Sequence, residues 1–236
     1  MFGSIDAVIG GVLAFVGGHF LLSSWALRQP LVGRIGEEAF RGIYSLVMLA
    51  ALVWTVIAYG DAPALEVWAP MPWTRWVPNL LMPLACLFLV AGVTTRSPTA
   101  VGGEAVLAEP NPVRGIVTVT RHPFLWGTGL WALAHLATKG DLASIVLFGS
   151  MAVLSFAGMF SIDGKQRRKL KEVGDEGAWG PVALTTSVIP FQAAIENRTT
   201  IDWAGIGWKR LLGGVVLWGA LYGAHPFFAG VWPHPM

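Results

Sequence analysis

Cysteine is nearly absent from this 236-residue chain, and charge is scarce. The single thiol, Cys86, rules out an internal disulfide and any metal site built from several cysteines. Only 13% of residues are charged, against roughly 25% in ordinary soluble domains. No Walker-type glycine loop, nucleophile elbow or two-histidine metalloprotease motif is present, so nucleotide-binding and hydrolase chemistries have no residues to rest on. There is no Cys-x-x-Cys-His, no internal repeat and no low-complexity tract. A formal charge of +2 gives no basis for nucleic-acid binding. The start, MFGSIDAVIGG, has no positive segment ahead of its apolar run, so it is expected to open a retained first helix.

What is abundant is apolar: 54% of residues, with a mean hydropathy of +0.59. A membrane-crossing helix needs about 20 mainly apolar residues. Backbone groups in lipid must be paired within the crossing element, so helices or a closed barrel are the choices. The runs here are continuous and of helix length, without the ten-residue alternation of a barrel. The expectation is an all-α protein, a polytopic transmembrane bundle of about six spans at 5–27, 42–60, 76–95, 122–138, 142–160 and 211–231, forming one domain over 1–236. Pro78 and Pro83 predict a late start or a kink in the third span. The fourth and fifth, separated by Thr-Lys-Gly-Asp, predict a tight hairpin.

The 16 Lys and Arg residues sort unevenly: 14 lie in the odd-numbered connections and only Arg75 and Lys139 in the even ones. The positive-inside rule then puts the odd loops, including the long ones at 96–121 and 161–210, in the cytoplasm and both termini on the outer side. Trp68, Trp73 and Trp76 are placed for an outer aromatic belt. The segment IDGKQRRKLKEV reads either as a short helix on anionic lipid or as a solvated positive anchor. Glu37 and Arg41 have the spacing of an i, i+4 helix pair, worth about 0.2–0.5 kcal/mol.

Candidate chemistry lies with the histidines. In TRHPFLWGTGLWALAHL, His122 precedes a first-turn proline, near the membrane interface, and His135 lies thirteen residues on. At 100° per residue these two differ by about 220° around the helix, so one site is not expected to use both. Trp131, one turn before His135, supplies a flat aromatic wall, and Gly127 and Thr128 a close approach a turn further down. This suits a planar cofactor and equally suits helix packing. His19 lies mid-span after Gly17 and Gly18, as a core histidine or as a neutral imidazole ligand. His225 lies in the last span, and His234 in the tail. Two intramembrane histidines on different helices are the minimum for a non-covalent, b-type haem. By depth alone His135 matches His225 better than His19.

Taken together, GHFLLSSWALR, FRGIYSLV, TRHPFLWGTGLWALAH and the downstream TSVIPF resemble the NnrU family of bacterial membrane proteins, related to 15-cis-zeta-carotene isomerase, over essentially the whole chain. The resemblance implies a multi-pass protein of the bacterial inner membrane, surrounded by lipid. It implies a link to denitrification through nitric oxide reductase or its assembly machinery. It also implies haem b, either for redox function or for cis-trans isomerisation, with the axial ligands falling on His19 and His135 and with Trp131 beside them. A more distant resemblance joins RHPFLWG and TSVIPF to isoprenylcysteine and phospholipid methyltransferases, which implies Arg121 and His122 near S-adenosylmethionine. Their paired glutamates are missing here, and only Asp163 remains as an acid in SIDGKQRRKLKE. A cofactor-free assembly factor is the third expectation.

Overall fold

Ser4 opens the first rod by accepting from the Ala7 amide at 3.2 Å. In the computed structural model, residues 3–100, 103–172, 174 and 176–234 are described. Positions 101, 102, 173 and 175, inside the two long loops expected above, lie outside the described residues, as do the first and last two. Helix α1 runs Ile5–Leu22, with a π turn over Leu13–Gly17 just before His19. Helix α2 covers Trp25–Ile35, and Gly36, at φ 84°, turns the chain into α3, Glu37–Gly60. The expected Glu37–Arg41 pair forms at 3.0 Å, and Arg28 joins it from α2.

After α3 an extended stretch clamps onto a distant turn. Val67 and Trp68 donate to the Gly140 carbonyl, and Leu142 donates to Leu65. A turn at Pro72–Arg75 leads into α4, Trp76–Thr94, which carries Pro83 within it. Helices α5, Pro123–Thr138, and α6, Leu142–Glu172, are joined by three residues, the tight hairpin read from the sequence. Short helices α7 (Glu176–Thr185), α8 (Gln192–Ile195) and α9 (Trp203–Ile206) precede the last long one, α10, Trp208–Ala229. Among the described residues there is no strand, only an isolated Glu66–Asp141 bridge.

Small residues set the packing, as they must where lipid removes the hydrophobic drive between helices. The backbone of α5 approaches α4 so closely at Gly127 that a Cβ there would lie 2.9 Å from the Ala85 carbonyl. On its other side Thr128 and Ser155 hydroxyls meet at 2.9 Å, tying α5 to α6. Helix α1 packs on α3 and α6, giving a core of Val8, Val12, Ala58, Ala132, Leu147, Phe148 and Met151. Helix α10 packs chiefly on α4, and its His225 ring meets His135 of α5. Large apolar side chains such as Leu46, Val93, Phe160 and Phe227 stand exposed, a surface suited to lipid.

Five helices are long and apolar enough to cross a membrane: Ile5–Leu22, Glu37–Gly60, Pro72–Thr94, Leu142–Glu172 and Trp208–Ala229. The sixth expected span, α5, has 16 residues, about 24 Å, short of that length although it sits in the middle of the bundle. Helix α6 departs from expectation in the other direction. It continues twelve residues past the expected end at 160, so IDGKQRRKLKE is neither a separate surface helix nor a loop. The extension lies along the start of the chain: Lys165 donates to Ser23, and the Arg168 guanidinium lies 5.8 Å from the Trp25 ring centre.

Candidate functional site

Two groups of candidate residues emerge: a polar cluster at the start of α5, and three imidazoles, of which His135 lies near the end of α5 beside His225 and His19 lies apart on α1. In the first, Arg121 and His122 converge on Asp163 of α6, the acid singled out in the sequence. Arg121 Nε and Nη2 donate to Asp163 Oδ2 at 2.9 and 2.8 Å, and His122 Nε2 lies 2.8 Å from Oδ1. Arg121 Nη1 donates to the Thr186 carbonyl at 3.1 Å, and all four residues are buried. The backbone joins in: Arg121 N–H donates to the Ser187 carbonyl, Phe191 N–H to Val119, and the Trp126 indole to Val188 at 2.8 Å. The RHPFLWG and TSVIPF motifs are thus two halves of one seam. Because both carboxylate oxygens of Asp163 are occupied and the guanidinium is committed to it and to Thr186, these residues act as a lock between α5, α6 and the loop before α8. The sequence joins RHPFLWG to TSVIPF, which Thr186 opens, only through a resemblance; that Thr186 meets Arg121 has no local signal, since the two are 65 residues apart.

The second constellation is made of imidazoles. His19 Nδ1 faces the Phe15 carbonyl at 2.7 Å, His135 Nδ1 the Trp131 carbonyl at 2.8 Å, and His225 Nδ1 the Val231 carbonyl at 2.7 Å. A carbonyl only accepts, so in each ring Nδ1 carries the proton. Among the described residues no hydrogen-bond partner is placed on any of the three Nε2 atoms. Such fixing of one nitrogen with the other left as a lone pair is how ligating histidines are oriented.

The rings are not all together. His135 lies 5.3 Å from Trp131, 5.0 Å from Phe148 and 6.5 Å from His225, centre to centre. His19 is enclosed by Phe15 at 4.6 Å and Tyr44 at 5.7 Å, and no ring contact links it to His135. His135 is level with Phe148 of α6, and Ser23, one turn past His19, reaches Lys165 farther along that helix. For a b-type haem the donor chemistry fits, three neutral nitrogens in apolar aromatic surroundings. His19 on α1 and His135 on α5 make no ring contact with each other, while Phe15, one turn before His19, packs on the core that holds Phe148 and Trp131. A cavity of about 50 Å³ touches His135 and His225, with Met82, Trp218 and Tyr222 on its wall.

Comparison with known proteins places this architecture. The family described as NnrU protein matches residues 7–233. The chain belongs to that family. This NnrU-family protein is also 26% identical over 179 residues to the chloroplastic 15-cis-zeta-carotene isomerase of Arabidopsis thaliana, covering 71% of the chain and 45% of the isomerase. To the Zea mays protein of the same name it is 34% identical over 84 residues, which are 36% of this chain and 22% of that one. The chain therefore spans less than half the length of the curated relatives it matches. No solved structure matches it.

Proposed function

We propose that this NnrU-family membrane protein binds haem b through His135 and acts, like the isomerases it resembles, on an apolar conjugated molecule dissolved in the bilayer. The observation that carries the reading is the state of His135: a ring fixed by its Nδ1 bond to Trp131, walled by Trp131 and Phe148, with no partner on Nε2 among the described residues. When bound, haem supplies a redox-active iron whose behaviour depends on its axial ligands and the dryness around it. The chain's own part is to hold one nitrogen in a single tautomer, to exclude water with aromatic side chains, and to leave an apolar flank open to lipid.

The cofactor is tested on the protein purified in detergent from haem-supplied cells, by optical spectra before and after dithionite. A Soret band that shifts on reduction and is lost in His135→Ala is the expected result; protein with no Soret band removes the cofactor from the reading. Isomerisation is tested by incubating loaded protein in liposomes with a 15-cis polyene and separating the isomers. Family membership also supports residence in a bacterial cytoplasmic membrane and a tie to nitric oxide reductase. Deletion of the gene is expected to slow nitric oxide consumption under denitrifying growth, and an unchanged rate removes that tie.

A further inference from the structure

Helix α6 carries positive charge past the apolar layer of the membrane, and part of it is turned inward where α1 meets α2. Lys165 lies five residues beyond Phe160, at the end of the apolar run. That is about 7 Å along the helix, within the headgroup layer that flanks a hydrocarbon core of about 30 Å. Its side chain folds back onto the bundle, and Nζ donates to Ser23 Oγ at 2.5 Å. Ser23 commits its own proton to the His19 carbonyl, so it offers the ammonium a neutral acceptor and no countercharge.

The neighbouring acids are already engaged. Glu37 Oε1 accepts from Arg28 at 2.5 Å and from Arg41 at 3.0 Å, one carboxylate against two guanidiniums. Asp163, two residues before Lys165, lies about 200° away around α6 and is held by Arg121 and His122. Among the described residues no carboxylate is placed on Lys165, and the charge of Arg28 acts on it as repulsion. Arg168, three residues on, lies 5.8 Å from the Trp25 ring centre at the start of α2. A half-buried ammonium in such company is costly unless an anion joins it.

The donors left over suit a phosphate. Lys165 has three N–H groups and gives one to Ser23, while Arg28 uses Nη2 alone, with no partner on Nε or Nη1 among the described residues. Apolar side chains flank the corner: Leu21, two residues before Ser23, is 60% exposed, and Leu27, next to Arg28, is 39% exposed. A phosphate on the cations would thus bring attached acyl chains against surface already suited to lipid. A head carrying its own ammonium group is disfavoured by the cations around it; a head with net negative charge is not.

We propose that the α1–α2 corner and the extension of α6 form a binding site for an anionic phospholipid of the adjoining leaflet, its phosphate held between Lys165 and Arg28. The test uses the full chain purified in detergent, with binding of phosphatidylglycerol, phosphatidylcholine and glycerol 3-phosphate followed by native mass spectrometry. It is run at about 0.5 M salt, where the diffuse field of exposed charges is screened and a partly buried contact much less so. Wild type is expected to bind phosphatidylglycerol at least about tenfold more tightly than phosphatidylcholine, and Lys165→Gln to lose at least about tenfold, the low end for a hydrogen bond to a charged group. Lys165→Arg is expected to keep the preference. Arg167→Gln, which removes an exposed charge from another side of the same helix, is expected to change binding by no more than about twofold. Arg28→Gln supplies the same reading if Lys165→Gln fails to fold. Equal affinity for the two lipids, or equal losses in Lys165→Gln and Arg167→Gln, overturns the site. Glycerol 3-phosphate bound as tightly as phosphatidylglycerol overturns the lipid as its occupant and makes it a site for soluble phosphates.

Discussion

Asp163 shows how one side chain can hold a membrane bundle closed. It takes Arg121 on one oxygen and His122 on the other in a buried setting, so its removal strands a guanidinium rather than merely deleting a contact. Breaking a buried pair from one side costs several kcal/mol; for Asp163→Ala we expect a loss of about 3 kcal/mol after allowing for its position near the end of the bundle. Denaturant unfolding in detergent measures it, and Asp163→Asn, which keeps the shape and one acceptor, is expected to lose less. Asp202 makes a different kind of tie. Its carboxylate accepts from the Gly115 and Gly205 amides, both at 2.8 Å, and these bonds hold it below the usual carboxylate range, Gly115 first. The folded state thus releases its proton more readily than the unfolded one, where an Asp titrates near 3.9. The stabilisation is complete above about pH 4 and disappears as pH falls through the lower folded value. Melting temperatures of Asp202→Asn are expected to lie below wild type at pH 7 and to converge with it on going from about pH 5 to pH 3. A constant gap across that range rules the tie out as the origin.

Helix α5 is threaded between α4 and α6 on a backbone without Cβ atoms at the contact points. At Gly127 an added methyl would meet backbone on the facing helix, the Ala85 carbonyl and the Leu89 amide, both at 2.9 Å, and neither can rotate away. Overpacking of this kind costs about 1–3 kcal/mol, so Gly127→Ala is expected to lower the melting temperature measurably. Gly149→Ala, on α6 with nothing within 4 Å of the new atom, is expected to be neutral. Much of this architecture was legible: the helix class, the α5–α6 hairpin and the Glu37–Arg41 pair all follow from local pattern. The lengths of α5 and α6 were not. Hydropathy ends the fifth span where charge begins, yet Lys, Arg, Gln and Leu are all good helix formers, and SIDGKQRRKLKE contains no proline to stop them. Local pattern also proposes His122, Trp131 and His135, and depth alone matches His225 to His135, but the contacts with Asp163 and Phe148 have no local signal because those residues arrive from a helix 13 to 41 residues away.

Charge and depth organise the molecule along one axis. The described ends of the chain, Gly3 beside Asp61 and Pro233 beside Asn79, gather at the end where the extended stretch after α3 meets the α5–α6 turn. That end also bears the exposed Trp68, Trp73 and Trp76. The opposite end holds Arg28, Arg121 and the cationic extension of α6, so the helices are ordered as alternating charge in the loops requires. The lone cysteine makes the direction of this axis measurable. Cys86 is fully buried, so it stays silent to a membrane-impermeant maleimide and the native chain is its own blank. Ala64, in the extended stretch after α3, and Arg167, on the extension of α6, are both exposed and lie at opposite ends. If positive loops face the cytoplasm, Ala64→Cys is labelled in intact cells while Arg167→Cys is labelled only after lysis. The reverse pattern inverts the topology and moves the His135–His225 end to the cytoplasmic face.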